Sequence, residues 1–243
     1  AEELYDKIKD ISSKGFIKTM RAGDGGVGYT LETLLHIEAN SSKAPDYKGI
    51  ELKSGRERAH KSGRTTIFSQ VPNWKISNLK SSKEILARRG KYNEVKKRNQ
   101  LFHQISALSP NSYGLQLEVT GDQTLLYQNY VDELINNRDV TWEFSKLKAR
   151  LSEKHKETFW VTAQTKGKSG QDEELFRYSK IKHTSNIDET VFPTLLELGV
   201  ITLDYTIKEK QNGGTKDQGY LFKMSTKNLD LLFSSVREYD LIN

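Results

Sequence analysis

The sequence predicts a mixed α/β fold, and three observations support this. Apolar residues recur at helical spacing in several segments, first at Leu4, Ile8 and Ile11. Between those segments lie short runs in which apolar residues alternate with polar ones or follow one another directly, as is typical of strands. No internal repeat and no proline-rich linker divides the 243 residues. We therefore expect a single domain with a sizeable core, in which two lobes can share one chain.

The first half of the chain is predicted to contain two helices followed by strands. One strand has a clear alternation, because Ile50 and Leu52 alternate with Glu51 and Lys53. Such a pattern predicts one buried face and one polar face. The predicted elements are, in chain order, a helix over Leu4–Ile11, a helix from Tyr29, a turn at Asn40–Lys43, and strands over Tyr47–Lys53, Thr65–Phe68, Gly114–Val119 and Gln123–Gln128.

The second half is predicted to continue the alternation of helices and strands. Thr158–Thr165 contains the apolar run Phe159–Val161, which predicts a strand at the centre of a sheet. The other predicted elements are a helix over Trp142–Leu151, a loop over Lys166–Gly170, a helix over Ile187–Leu198, a strand over Val200–Ile207, a loop over Lys210–Asp217, a strand over Tyr220–Met224 and a helix over Thr226–Val236.

Positive charge is concentrated in one segment. The chain carries 38 basic and 32 acidic side chains, for a net charge of +6. The basic segment, Lys75–Gln100, holds nine of the basic side chains and two of the acidic ones. A patch of one sign on an otherwise balanced protein is typical of proteins that bind nucleic acid. A solvated surface helix and loop is the main alternative. An anionic membrane surface is a weaker one, because the segment lacks a wide apolar face.

Composition excludes several classes of protein. Without cysteine, the chain cannot form disulfide scaffolds, use thiol catalysis or bind metals through cysteine. No run approaches the roughly 18 apolar residues of a membrane-spanning helix, and no apolar N-terminal segment precedes a cleavage site. We therefore expect a cytoplasmic protein without a membrane partner. The five histidines show no metal-ligand spacing, although His60 and His103 are expected near the nucleic-acid-binding side.

The residues able to do chemistry are concentrated in Ala44–Lys53. Side chains alternate along a strand, so Glu51 and Lys53 should project from the same face, about 6.5–7 Å apart. Asp46 precedes this strand, after a proline that fixes the entry of the chain. Two converging carboxylates suit a hard cation such as Mg²⁺, and a lysine beside them can orient water or stabilise charge on a phosphate. Glu32, on the preceding helix, can supply a third carboxylate.

These groups are the ones that metal-dependent phosphodiester hydrolysis requires. The pattern Glu-x-Lys alone is common on solvent-facing strands, so the interpretation depends on Asp46 and on the basic segment.

Six stretches in chain order resemble those of a known family: Gly26–Leu35, Ala44–Lys53, Thr65–Pro72, the basic segment through Gln104, Trp142–Thr165 and Gly214–Lys223. Together they resemble the MvaI/BcnI group of type II restriction endonucleases, which belongs with the mismatch-repair nicking enzyme MutH in the PD-(D/E)xK superfamily.

The resemblance implies a restriction-endonuclease-like fold of the MutH type, with a central mixed sheet flanked by helices and two lobes around a DNA cleft. The catalytic lobe is expected mainly in residues 1–110 and 140–165, and the recognition lobe mainly in residues 170–243. The resemblance further implies a monomeric, Mg²⁺-dependent, sequence-specific endonuclease that cuts double-stranded DNA. A cognate DNA methyltransferase is an expected partner.

The resemblance also implies roles for the residues of the strand motif. By motif position, Asp46 and Glu51 resemble the metal ligands and Lys53 resembles the catalytic lysine. Glu32 resembles an additional helix carboxylate, which either holds a second metal or orients its neighbours.

Base reading is expected in Lys216–Gly219. Relatives often carry His-Asp, another polar residue and Gly there, whereas this chain has Lys216 at the histidine position. It also has Ser69 where one relative has a base-reading histidine, so the recognised sequence stays open. The expected DNA contacts are Arg56, Ser69, Lys96, Lys97, Arg98, Lys216, Asp217 and Gln218.

Other functions fit parts of the sequence. A repair-type nuclease that nicks one strand, or the nuclease domain of a larger defence protein, would carry the same catalytic residues. The order of helix, strand, loop and strand over Ile187–Met224 also fits a winged-helix-like DNA-binding module without catalysis, which would not need the strand motif. The glycine cluster before the second helix lacks the Gly-Lys-Ser/Thr of a phosphate-binding loop and is interpreted as a flexible helix entry. An unrelated metabolic enzyme is the remaining alternative.

Overall fold

The computed structural model describes residues 1–37, 44–57, 63–133 and 135–242. The predicted turn at Asn40–Lys43 and the residue His60 lie outside the described residues. Within those ranges, no helix is both long and apolar enough to cross a membrane. The helices are α1 (Glu2–Ser13), α2 (Gly26–Leu34), α3 (Ser82–Arg89), α4 (Phe144–Lys154) and α5 (Phe192–Glu197).

Among the residues that the structure describes, the strands form antiparallel pairs with one exception. The exception is β2, which runs parallel to β9. The strands are β1 (Ile17–Lys18), β2 (Glu51–Arg56), β3 (Arg64–Ser69), β4 (Lys91–Asn93), β5 (Arg98–Ile105), β6 (Leu115–Val119), β7 (Leu125–Asp132), β8 (Ile135–Glu143), β9 (Glu157–Lys166), β10 (Leu175–Ile187), β11 (Ile201–Glu209), β12 (Thr215–Ser225) and β13 (Phe233–Asp240).

The chain divides into two compact units. The first consists of Ala1–Gly63, Ser152–Asp188 and Leu229–Asn243. Its sheet has the strand order β1-β10-β9-β2, and β13 also pairs with β10. The strand β9 therefore lies inside the sheet, as its apolar sequence predicts, and β2 lies at the end of the order.

Helices α1 and α2 pack on one face of this sheet. The periodic residues Leu4 and Ile8 of α1 and Leu31 of α2 are fully buried. They belong to one core cluster with Leu52 of β2 and with apolar residues of β9 and β10, namely Phe159, Val161, Ala163, Phe176, Tyr178 and Ile181. Since Leu52 points into this core, alternation along β2 directs its neighbours Glu51 and Lys53 to the other face.

The second unit consists of Arg64–Leu151 and Glu189–Asn228. It contains a five-stranded sheet of order β3-β12-β11-β5-β4 and a three-stranded sheet of order β6-β7-β8. Aromatic side chains fill its core, among them Phe68 and Phe222, which stack with ring centroids 4.8 Å apart. Burial of such large rings stabilises the unit by area and by ring–ring contact.

Several predicted elements are confirmed with shifted ends. The helix expected from Tyr29 begins at Gly26. The strand expected from Tyr47 begins at Glu51, because Lys48 (φ 45°) and Gly49 (φ 89°) form a turn. Backbone hydrogen bonds between Tyr47 and Ile50 close that turn.

The helix predicted over Thr226–Val236 is wrong. A 3₁₀ segment occupies Thr226–Leu231, and β13 then pairs with β10 from Ile187↔Phe233 to Lys180↔Asp240. The apolar residues around Leu229 have helical spacing, but long-range strand pairing overrides that local pattern. The partner strand β10 itself was not predicted.

Three other predicted boundaries also differ. The helix expected over Ile187–Leu198 shortens to α5. Trp142 lies in β8, so the helix expected from it begins at Phe144 instead, and the loop expected to Asp217 gives way to β12 at Thr215. The units also follow different boundaries from the expected lobes. Residues 64–110 join the second unit because β3 and β5 pair with β12 and β11, and β10 joins the first because it pairs with β9.

Candidate active site

The turn before β2 brings Asp46 back to the start of that strand. The Oδ2 atom of Asp46 accepts a hydrogen bond of 2.9 Å from the backbone N–H of Leu52. The preceding turn allows this return because Gly49 adopts a positive φ that favours glycine. Asp46 is thereby fixed beside Glu51 and Lys53, as the motif predicts.

Glu51 is a fully buried carboxylate between two ammonium groups. Its Oε1 atom lies 2.5 Å from Nζ of Lys53 and 2.8 Å from Nζ of Lys154. Its side chain has no exposed area. Among the described residues, neither Glu51 oxygen has an aligned hydrogen-bond partner, so the contacts to the lysines are ion pairs with poor hydrogen-bond geometry. Because a buried carboxylate normally has such partners, its oxygens have unused capacity for a ligand.

Carboxylates are crowded at this position. Burial raises the pKa of Asp46, and the negative charge of Glu51 raises it further. Burial also raises the pKa of Glu32, followed by the charges of Asp46 and Glu51, while Lys53 opposes the rise. The three acids therefore repel one another, and a cation would relieve that repulsion.

The donor set fits a hard divalent cation. Asp46 and Glu51 offer carboxylate oxygens, the ligands that Mg²⁺ accepts in small number while it keeps several waters. Over the ranges that the structure describes, no three or more His, Asp or Glu side chains group together as a metal site. Asp46 and Glu51 are the candidate ligand pair, and their negative charges raise the pKa of the neighbouring Glu32.

Lys154 is a site residue that the sequence motif did not identify. It ends α4, and its side chain is only 15% exposed. The next residue, His155, is fully buried and stacks on Trp160 of β9, with ring centroids 5.5 Å apart. This stacking anchors the chain beside Lys154. No local spacing could reveal it, because α4 and β2 are far apart in sequence.

Arg56, an expected DNA contact, is engaged inside the first unit. Its guanidinium makes two hydrogen bonds of 2.7 Å to the carboxylate of Glu174, which is 1% exposed. It also donates to the backbone oxygens of Gly23 and Asp24, and Gly170 N–H donates to the same carboxylate. The pair thus joins the end of β2 to two loops of the same unit. A DNA contact by Arg56 stays a prediction.

The expected base-reading residues lie in the second unit, on a bulged strand rather than in a loop. Strand β12 pairs with β11 at Tyr205↔Tyr220 and next at Ile207↔Asp217. The extra residues form a bulge, which re-aims side chains, and Lys216–Gln218 are exposed there. Gly219 has φ 101°, and a Cβ on it would lie 2.5 Å from Oγ of Ser69, so glycine is required where the bulge passes Ser69.

Asp217 is oriented by a neighbouring helix. The hydroxyl of Ser82, at the start of α3, lies 2.5 Å from Oδ2 of Asp217 and 2.9 Å from the hydroxyl of Tyr220. The other expected contacts of this unit, Lys96, Lys97 and Arg98, lie at the turn between β4 and β5. The structure therefore places the predicted catalytic residues in the first unit and the predicted DNA contacts other than Arg56 in the second.

The fold resembles that of solved restriction endonuclease structures. The chain is similar to a solved structure titled restriction endonuclease MvaI–cognate DNA substrate complex, with a TM-score of 0.83 and 22% identity, covering 100% of this chain and 99% of that one. It is also similar to restriction endonuclease MvaI in the absence of DNA, with a TM-score of 0.55 and 22% identity, covering 97% and 95% of the two chains. At this identity, the likeness concerns the fold. A search of curated proteins finds no match.

The predicted fold class is confirmed by these structures, and the predicted family by its sequence model. The model of the MvaI/BcnI restriction endonuclease family matches residues 5–233, nearly the whole chain. The chain belongs to the MvaI/BcnI restriction endonuclease family and is a sequence-specific DNA endonuclease.

Proposed function

We propose that Asp46, Glu51 and Lys53 hydrolyse phosphodiester bonds of double-stranded DNA with Mg²⁺ as cofactor. The observation that carries the proposal is the buried Glu51 carboxylate, which has unused hydrogen-bonding capacity beside Asp46 and contacts two ammonium groups. Asp46 and Glu51 would hold the cation, and Glu32 would orient them or contribute to a second metal. Bound Mg²⁺ supplies positive charge that acidifies water and stabilises negative charge on the phosphate.

The chain's own residues then position the reactants. Lys53 orients the attacking water and balances charge that develops on the scissile phosphate. The water oxygen bonds to phosphorus in line with the leaving oxygen, the opposite P–O bond breaks, the water loses a proton and the leaving oxygen gains one. Lys154 adds a second positive charge at Glu51, which holds that carboxylate in place.

Recognition is proposed for the second unit. Lys96, Lys97 and Arg98 would neutralise DNA phosphates, which makes binding weaken steeply with salt. On the bulge, Lys216 can donate to guanine, Asp217 can accept from cytosine N4 and Gln218 can pair with adenine. Exposure of these side chains and the Ser82 contact to Asp217 support this assignment.

The protein would act as a monomer. A cognate DNA methyltransferase would accompany it, because an enzyme that cuts a sequence present in its own genome needs that sequence to be protected. The test is incubation of the purified protein with an unmethylated plasmid and Mg²⁺, with EDTA as control. Discrete, EDTA-sensitive fragments are expected, and their ends map the recognised site. Nicked circles alone would indicate a repair-type nuclease, and a mobility shift without cleavage would contradict the proposed catalysis.

A further inference from the structure

A groove lined by positive side chains lies at one end of the five-stranded sheet in the second unit. Its volume is about 780 Å³. We name it the basic groove and define it by its five cations, Lys96, Lys97, Arg98, Lys208 and Lys210. We propose that the basic groove binds phosphates of duplex DNA outside the bases that are read, and that Lys208 and Lys210 complete it. The inference rests on the proposed function, since duplex DNA is its ligand.

Strand pairing brings two turns to the same end of the sheet. Gln100 of β5 pairs with Lys91 of β4 on one side and with Lys208 of β11 on the other. Lys208 in turn pairs with Lys216 of β12. The β4–β5 turn and the β11–β12 turn therefore lie next to each other, although they are far apart in sequence. Their lysines form one surface that the basic segment alone did not indicate.

The charge of the basic groove is not neutralised internally. Glu209 is the one carboxylate among its lining residues, and its Oε2 atom accepts hydrogen bonds from the backbone N–H and the side-chain Nδ2 of Asn99 at 3.1 and 3.0 Å. In the described part of the chain, none of the five cations forms an ion pair with a carboxylate. Like charges held this close repel one another, and a bound polyanion removes the repulsion.

Hydrogen bonds close the backbone of both turns that carry these cations. Lys96 N–H donates to Oδ1 of Asn93 at 2.8 Å, and Lys97 turns the chain with φ 48°. In the other turn, Lys210 N–H donates to the carbonyl of Gly214 at 2.6 Å. Because both turns are already closed, binding orders only side chains, which lowers its entropic cost.

The lining residues favour phosphate over bases. None of them is aromatic, so the basic groove offers no platform on which a base could stack. Lysine presents a compact point charge, which suits a phosphate without demanding a particular base. The base-reading candidates lie separately, on the β12 bulge. The basic groove should therefore add affinity that does not depend on sequence.

The test compares two variants with equal charge change. One carries Lys97→Gln, Lys208→Gln and Lys210→Gln, and the control carries Lys9→Gln, Lys14→Gln and Lys227→Gln, which are exposed lysines outside the basic groove. Dissociation constants are measured in EDTA at several salt concentrations, for duplexes with and without the cleavage site. We expect the salt slope of the first variant to fall in magnitude by about 0.9 for each phosphate that it no longer neutralises, with equal weakening on both duplexes.

An unchanged slope in the groove variant, or an equal change in the control, would overturn the inference. Loss of binding to anionic phospholipid vesicles with unchanged DNA binding would also overturn it and assign the surface to lipid. If the triple variant unfolds, the single variants Lys97→Gln and Lys210→Gln should each give a smaller change of the same sign. A wild-type protein that fails to cut plasmid with Mg²⁺ contradicts the proposed catalysis, whereas the slopes still decide the basic groove.

Discussion

Lys154 and Glu51 lie far apart in the sequence, yet the Lys154 ammonium nitrogen lies 2.8 Å from Oε1 of Glu51. The end of α4 thus contributes a second lysine to a strand motif that already contains Lys53. Both ammonium groups contact the same buried carboxylate. This shared contact makes the site more positive than the motif alone suggests.

Lys154→Met should slow cleavage on the order of 10²-fold, because the variant lacks the ammonium group that holds the Glu51 carboxylate in place. DNA binding should change by less than about tenfold, or 1.4 kcal/mol. Single-turnover cleavage and equilibrium binding measure the two quantities. Lys148→Met, on the same helix, is the control. Full activity of the Lys154 variant would show that Lys154 is dispensable.

Arg56→Gln should destabilise the protein by about 3 kcal/mol, because Glu174 would remain buried without its partner. Urea unfolding measures this change. The double variant Arg56→Met/Glu174→Leu should recover most of the stability, since it removes both charges. Arg138→Gln is the matched control, because that arginine pairs with Glu118 at the surface and should contribute less than about 1 kcal/mol. A stable Arg56 variant with weakened DNA binding would instead support a direct DNA contact.

The raised pKa of Asp46 predicts a pH effect on stability. A carboxyl whose folded-state pKa exceeds its unfolded value binds more protons in the folded state. Its contribution to stability is therefore present below the unfolded pKa, about 3.9 for Asp, and is lost as pH rises through the folded pKa. Without metal, Asp46→Asn should raise the melting temperature at pH 7, and the difference from wild type should vanish near pH 4.

The response of the melting temperature to Mg²⁺ distinguishes a metal site at Asp46 from a general effect of its charge. Added Mg²⁺ should raise the melting temperature of the wild-type protein, because a ligand that binds only the folded state stabilises it. It should not raise that of Asp46→Asn. Equal stabilisation of both proteins would place the cation elsewhere.

Asp217→Ala should change or abolish sequence preference while phosphate binding persists. The carboxylate is an oriented acceptor on the β12 bulge, so its removal takes away an acceptor for a base edge. Fragment patterns on a long DNA of known sequence measure the preference. Asp230→Ala, an exposed acid of the first unit, is the control. An unchanged pattern for Asp217→Ala would move recognition to other residues.

Whether the sequence could place two site residues together depended on how far apart they lie along the chain. Asp46, Glu51 and Lys53 lie within eight residues, so strand alternation and one turn were enough to place them together. Lys154 and the Arg56–Glu174 pair depend on strands and helices that meet only after folding, and no local pattern encodes those meetings. The basic segment was visible from composition, but its neighbours Lys208 and Lys210 became visible only through the pairing of β5 with β11.

The prediction of secondary structure failed where long-range strand pairing overrode the local preference of the sequence. Leu229, Leu232 and Phe233 have helical spacing, yet the chain from Phe233 onward pairs with β10. The long β10 escaped prediction because a bulge between Tyr178 and Lys180 breaks its alternation, so that the buried residues Tyr178 and Ile181 are three positions apart. By contrast, the apolar run in β9 correctly predicted that this strand lies inside the sheet, between β10 and β2.

The most direct test of the catalytic assignment is single-turnover cleavage of the mapped site with Mg²⁺ by wild type, Asp46→Ala, Lys53→Ala and the surface control Asp10→Ala, with DNA binding measured in parallel. Both site variants should lose cleavage while binding stays within about tenfold, and the control should cut like wild type. Cleavage at the wild-type rate by either site variant would contradict the assignment of the catalytic centre to this strand.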